Sequence, residues 1–233
     1  MSSSPVSGPS EYPRRVIDAD AVMIDLYDTL AWTEWPRLRD LMCARIGVDA
    51  GTLLRAFDET RPQRGQGSYA GAEEDWASVL GATRVDPEPG LIADLLALER
   101  DFLVDGVHLY EDSLPVVREL RSRDVRTALV SNCSRSTRPV VDRLGLEEEF
   151  DAVVLSFEVG ALKPNAEIYR EALRRLGDVP PGSAVFVDDQ ARYCEGAQAV
   201  GIDARLIARD GAAPFEGLVI DRPSIRDLRQ PLS

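Results

Sequence analysis

The chain has 233 residues, enough for one large domain or for a core with a small insertion, and it is 44% hydrophobic and 29% charged, as ordinary globular proteins are. Its formal charge of -13 argues against nucleic acid or an anionic membrane as a partner. Cys43, Cys133 and Cys194 are odd in number and widely spaced, which argues against a disulfide framework and for a reducing cytoplasm.

No apolar run is long enough to span a bilayer, and the N-terminal segment lacks the apolar stretch of a secretory signal. Residues 1–15 are rich in Ser and Pro and read as a disordered tail. Val22-Met23-Ile24 then run straight into Asp25, the pattern of a fully buried strand in a parallel sheet. Asp25 would stand at the carboxyl end of that strand, where ligands bind in open α/β sheets. Trp32, Trp35 and Pro36 form a turn-like entry to a block, about 36–106, with helical periodicity and no strand signal. Leu38, Leu41, Met42 and Ile46 share one face and Gly47 ends that helix, while Leu53, Leu54 and Phe57 mark a second. Arg61 to Gly71 reads as a polar loop, and 73–80 and 91–104 as two further helices. The block is a helical insertion just after the first strand, placed to cover Asp25.

A strand–helix alternation follows. Helices are expected at 114–120, 140–144, 166–176 and 196–200, and strands at 125–130, 152–155, 184–187 and 204–207. Asn165 suits an N-cap and Gly177 a helix end. A short helix is expected at 225–228. This alternation predicts an α/β fold with a parallel sheet and helices on both faces.

Three apolar strands thus end in reactive polar residues: Asp25, Ser131-Asn132 and Asp188-Asp189. Parallel strands bring all three ends to one edge. His108 is the only histidine, which excludes His-based triads and multi-histidine metal sites and leaves acid–base work to carboxylates, Tyr, Lys or Cys. Of the 27 basic residues only Lys163 is lysine; the other 26 are arginine. A compact point charge differs from a planar fork, so a lone Lys points to a site that Arg cannot serve. Pro164 keeps Lys163 out of a helix interior. Carboxylates, a hydroxyl, an amide and one ammonium in one crevice suit phosphoryl transfer. A carboxylate attacks phosphorus, hard oxygen ligands hold Mg²⁺, and Ser131 and Lys163 hold the oxygens of the transferred group.

Asp25-x-x-x-Thr29-Leu30, Ser131-Asn132, Lys163-Pro164 and Asp188-Asp189, in that order, resemble the four motifs of the haloacid dehalogenase superfamily. The run Val159-Gly160-Ala161-Leu162-Lys163-Pro164 strengthens the likeness, which covers about 16–207. The resemblance implies a Rossmann-like core (16–31 and 107–233), a helical cap (32–106) and an Mg²⁺-dependent hydrolase with an aspartyl intermediate. It implies Asp25 as nucleophile, and Asp25, the Tyr27 carbonyl and Asp188 as metal ligands. Asp189 reads equally as a further ligand or a helix cap. Thr29, Tyr27 and Asn132 stand on the substrate side.

Two positions depart from the pattern. Phosphatases of the superfamily usually carry an acid/base Asp two residues after the nucleophile; here that residue is Tyr27, as in the dehalogenase branch. That branch usually lacks the paired acids seen at Asp188-Asp189, and it keeps an Asp where this chain has Tyr193. The expectation is therefore a phosphatase acting on a phosphorylated small molecule, with a 2-haloacid dehalogenase or a weakened binding module as alternatives. A monomer or homodimer is expected. Trp32 and Trp35 read either as pocket mouth or as packing, and His108, Cys133, Cys194 and the Glu147–Glu149 run as structural or solvated.

Overall fold

The computed structural model describes residues 15–17, 19–209 and 218–220. In chain order it contains β1 (Arg15–Ile17), β2 (Ala21–Ile24), β3 (Ala31–Thr33), α1 (Trp35–Ile46), α2 (Ala50–Gly65), α3 (Ala72–Thr83), α4 (Pro89–Asp105) and β4 (Val107–Leu109). The alternating half follows as α5 (Ser113–Ser122), β5 (Arg126–Ser131), α6 (Thr137–Arg143), α7 (Leu146–Glu149), β6 (Ala152–Leu155), α8 (Ser156–Val159), α9 (Ala166–Arg175), β7 (Ala184–Asp188), α10 (Ala191–Ala199) and β8 (Asp203–Leu206). A last strand, β9 (Leu218–Ile220), pairs in parallel with β1.

The main sheet has five strands in the order β6-β5-β2-β7-β8, all parallel. The expected α/β fold with a parallel sheet is therefore present. Strand β2 is central and every residue in it is fully buried, as its unbroken apolar run requires. Successive side chains of the strands go to opposite faces. Val22 and Ile24 join one apolar cluster with Leu129, Val185 and Val187, which extends to the helices before β4. Ala21 and Met23 join the other, with Val130 and Phe186, under α9 and α10. Packing on both faces aligns the ends of β5, β2 and β7 side by side.

Helices α1 to α4 stand between β3 and β4, which pair antiparallel with Ala31 opposite Leu109. Helix α2 continues through Pro62 to Gly65, where a loop was expected from Arg61. Side chains support this last turn: Thr60 Oγ1 donates to Ala56 O at 2.8 Å, and Arg64 donates to Thr60 Oγ1 and Phe57 O at 3.0 Å each. Gly65 is buried there, and a Cβ on it would lie 2.7 Å from Leu162 Cδ2. Tertiary contact thus overrides the polar, Pro-containing sequence. Strands β3 and β4 gave no sequence signal because each has only three residues. Helix α10 begins at Ala191 rather than near Gly196, and Arg15, placed with the tail, opens β1. The rest of that tail and the helix expected at 225–228 lie outside the described residues. Among the described residues no helix is long and apolar enough to cross a membrane.

Candidate active site

Strand β2 delivers Asp25 to the sheet edge, where its backbone N–H donates to Val187 O at 3.0 Å. The chain then turns tightly. Leu30 N and Ala31 N both donate to Leu26 O at 2.8 Å, and Asp28 N donates to Ala31 O at 2.7 Å, with Asp28 left-handed at φ 59°. Asp tolerates that conformation better than most residues. Arg209 fastens the turn from outside: its Nε donates to Thr29 O at 2.8 Å, its Nη1 to Asp112 Oδ1 at 2.7 Å, and its guanidinium lies 4.1 Å from the Tyr110 ring centroid. Nothing in the sequence pattern singles out Arg209.

Asp25, Lys163 and Asp188 meet at the centre. Lys163 Nζ donates to Asp25 Oδ1 and Asp188 Oδ2 at 2.6 Å each and to Val130 O at 3.0 Å. Three donors thus meet three acceptors, which a compact ammonium can do. All three residues are buried. Burial pushes the Asp25 carboxyl up to about 7, with Lys163 pulling it down and Asp188 pushing it further up. Burial alone would lower the Lys163 ammonium, but Asp25 and Asp188 outweigh it and hold it above its ordinary value.

Asp189 completes an acidic cluster. One carboxylate oxygen from each of Asp25, Asp188 and Asp189 lies within 4.8 Å of the others. Asp188 Oδ1 accepts from Gln190 N at 2.8 Å, while Asp189 Oδ1 is buried with no partner. Burial, then Asp188 and Asp28, push the Asp189 carboxyl up to about 6. Ser131 ends β5 next door, and its buried Oγ also has no partner. A donor aimed into a polar crevice and an acceptor left over beside two carboxylates are both open to a bound group.

A cavity of about 400 Å³ opens over these residues, between the sheet edge and helices α1, α2 and α4. Asp25, Tyr27, Asp28, Ser131, Asn132 and Lys163 line its floor, and Trp35, Phe57, Arg61 and Phe102 are among the residues of the roof. The Tyr27 hydroxyl sits 3.2 Å from Thr137 Oγ1, and burial raises its phenol well above the ordinary value.

Of two residues expected on the substrate side, Asn132 lines the cavity and Thr29 does not. Asn132 spends both ends of its amide on Lys163: Nδ2 donates to Lys163 O at 2.8 Å and Oδ1 accepts from Lys163 N at 2.7 Å. It shapes the lysine loop. Thr29 is fully buried and is not part of the cavity wall. The tight turn directs it inward, so its contribution is the carbonyl held by Arg209. The Lys163–Pro164 peptide is cis, and Gly196 lets α10 press on it, since a Cβ there would lie 2.6 Å from Pro164 Cβ. Trp35 lines the cavity, whereas Trp32 stacks on His108 with ring centroids 4.3 Å apart. Burial pushes the Cys133 thiol up to about 12 and Cys194 to about 11; Cys194 is buried as a small hydrophobe, whereas Cys133 is half-buried and lines the cavity.

A family model described as haloacid dehalogenase-like hydrolase matches residues 19–201. The chain belongs to that family. It is 33% identical over 202 residues to a phosphatase of Mycobacterium tuberculosis, covering 76% of this chain and 92% of that one. It is 37% identical over 106 residues to a glyceraldehyde 3-phosphate phosphatase of Methanopyrus kandleri, covering 45% of each. The chain spans less than half the length of the first curated relatives that it matches. Among solved structures, a HAD-family enzyme from Bacteroides thetaiotaomicron is similar with a TM-score of 0.68 at 18% identity, covering 87% of this chain and 98% of that one. This likeness is one of fold. The chain thus has the parallel sheet expected of the haloacid dehalogenase-like hydrolase family.

Proposed function

We propose that the protein is a cytoplasmic Mg²⁺-dependent phosphatase acting on a phosphorylated small molecule, with Asp25 as nucleophile and α1 to α4 as a cap over it. The observation that carries this reading is the cluster of Asp25, Asp188 and Asp189 around one lysine, beside an unpaired Ser131 Oγ. The phosphatase names of the two relatives support the substrate class.

The donor set fits Mg²⁺. All its ligating atoms are hard oxygens, and Asp189 Oδ1 is buried without a partner. Asp25, Asp188, Asp189 and the Tyr27 carbonyl would hold the ion. When bound, it supplies the positive charge that lets clustered carboxylates and a phosphate share one crevice.

The chain's own groups do the rest. An Asp25 carboxylate oxygen attacks phosphorus and the bond to the leaving alcohol breaks, giving an aspartyl phosphate. Water then attacks that intermediate, releasing inorganic phosphate and restoring the carboxylate. The Ser131 hydroxyl donates to an oxygen of the transferred group. Lys163 holds Asp25 in place and offsets the charge that builds up. Tyr27 is a phenol, protonated at neutral pH even at its ordinary value, and burial raises it further, so it gives water no base. Efficient turnover is therefore expected for esters whose alcohol leaves without help.

The second reading, release of halide from a 2-haloacid, draws on Tyr27 two residues after Asp25. Carbon–halogen attack needs no cation and gives no reason to gather three carboxylates, which favours the phosphatase. The test is release of inorganic phosphate from an aryl phosphate, with and without Mg²⁺, by the wild type and by Asp25→Asn. Mg²⁺-dependent release lost in the variant supports the proposal. Metal-independent halide release from 2-chloropropionate, with no phosphate release, would overturn it.

A further inference from the structure

A second cavity, of about 560 Å³, lies between α2, α3 and α4 on one side and the segment 134–143 on the other. It shares Phe57, Arg64, Glu99, Leu103, Ser134 and Ser136 with the cavity over Asp25. The two adjoin as neighbouring chambers, with the nucleophile on the floor of one. Phosphate and a three-carbon body would leave the far chamber unfilled, since ligand sites enclose most of what they bind.

The walls of the far chamber state what would fill it. Phe57, Trp76, Val79, Leu96, Leu103 and Val104 give it an apolar lining with two aromatic rings. The rings of Phe57 and Trp76 meet edge to face with centroids 5.7 Å apart, and the Trp76 indole is fixed by donating from Nε1 to Glu99 Oε2 at 3.2 Å. Polar groups interrupt this lining, among them Arg64, Glu99, Arg143 and the pair Asp75 and Arg135. Asp75 is 7% exposed, its Oδ1 has no partner, and neither has the buried Nε of Arg135. Arg135 Nε stands 3.9 Å from Asp75 Oδ2, too far for a direct hydrogen bond. Both residues line the chamber, so an unused acceptor and an unused donor lie within its wall, while Arg135 Nη2 is spent on Gly67 O and Tyr69 O. One hydroxyl or one amide can satisfy both, because each donates and accepts.

We infer that the substrate is the phosphate monoester of a large alcohol with an apolar, ring-bearing body and a hydroxyl or amide at the end far from the phosphate. The body occupies the chamber under Trp76 and the far polar group joins Asp75 to Arg135. This rests on the phosphatase reading and sharpens it, since a small sugar phosphate would use only half of the crevice.

Three esters test it: phenyl phosphate, 4-(2-phenylethyl)phenyl phosphate, and the latter with a hydroxyl on its distal ring. Their leaving phenols ionise alike, so differences in kcat/KM report the body. The expected order is a rise of about tenfold or more from the first to the second, carried by KM, and a further rise to the third. Val104→Trp, at a position 60% exposed and so tolerant of change, places a ring in the chamber and should return the ratio of second to first toward one. Asp75→Ala should erase the advantage of the third over the second. If all three esters react with equal kcat/KM, the inference is overturned and the phosphatase reading stands. If Val104→Trp leaves the ratio intact, the body binds elsewhere and the inference is equally overturned. If none of the three is hydrolysed with Mg²⁺ present, the phosphatase reading fails and the inference falls with it.

Discussion

Asn132 and Lys163 hold one another through a reciprocal pair of hydrogen bonds, the Asn132 amide reading both the N–H and the carbonyl of Lys163. The side chain just after β5 thereby helps to hold the lysine loop beside the two carboxylates. Asn132→Leu leaves both backbone groups of Lys163 half-buried and unpaired. The expected cost is about 1–3 kcal/mol of folding stability, together with a loss of turnover. Urea unfolding and kcat, measured side by side, check both. A variant as stable and as fast as wild type would refute the clamp.

Lys163→Arg keeps the charge and should still lose about 10²-fold or more in kcat, because a planar fork cannot make three convergent bonds inside a buried site. Lys163→Met should be worse for the fold. It leaves two buried carboxylates facing each other, a break that costs about 3–5 kcal/mol in comparable buried pairs. Steady-state kinetics and thermal melts separate the two effects.

Asp25 and Asp189 stand at about 7 and about 6, above the ordinary carboxylate value of 3.8. Carboxyls raised in this way bind protons more tightly in the folded state. Without a cation, folding therefore takes up protons between those values, and stability falls as pH rises from about 4 to about 7. A cation at the cluster replaces those protons. Mg²⁺ should then raise Tm clearly at pH 8 and little at pH 5, and a chelator should reverse the gain. An equal shift at both pH values would count against the cluster as the binding site.

Tyr27 occupies the place where an acid/base carboxylate would act, and its hydroxyl is engaged with Thr137. Aryl and acyl phosphates should outrun alkyl phosphates, and the aspartyl intermediate should accumulate for want of a base. Tyr27→Asp should raise turnover of alkyl phosphates roughly ten-fold or more, within the range that a positioned acid/base supplies. Pre-steady-state phosphate release compared with steady-state turnover shows whether the intermediate builds up.

The sequence was most legible where one force acted alone. Strand β6 runs from Ala152 to Leu155 and strand β2 ends before Asp25, as their apolar runs indicate. Burial on both faces leaves no other pattern possible. The same holds for the edge that gathers Asp25, Ser131, Lys163 and Asp188, since parallel strands deliver their ends together. The sequence was less legible where contacts distant in the chain decide. Helix α2 keeps its last turn through Pro62 because Gly65 packs on Leu162. Asn132 spends its amide on a backbone at the cavity floor because Lys163 arrives from 31 positions away. Arg209 fastens Thr29 across 180 positions, and a lone arginine among 26 carries no mark of that task.

The paired strands β3 and β4 bring the two ends of the helical block to one spot, where Tyr110 N donates to Leu30 O at 3.0 Å. To the core, the whole block is a loop whose ends already touch. Its length then costs little chain entropy, because closure grows only with the logarithm of loop size. A change of helix length between Leu30 and Tyr110 would therefore leave this closure in place. Under the proposed function, reaction and selectivity would then rest on separable parts: the sheet edge for the chemistry, the insert for the choice of customer.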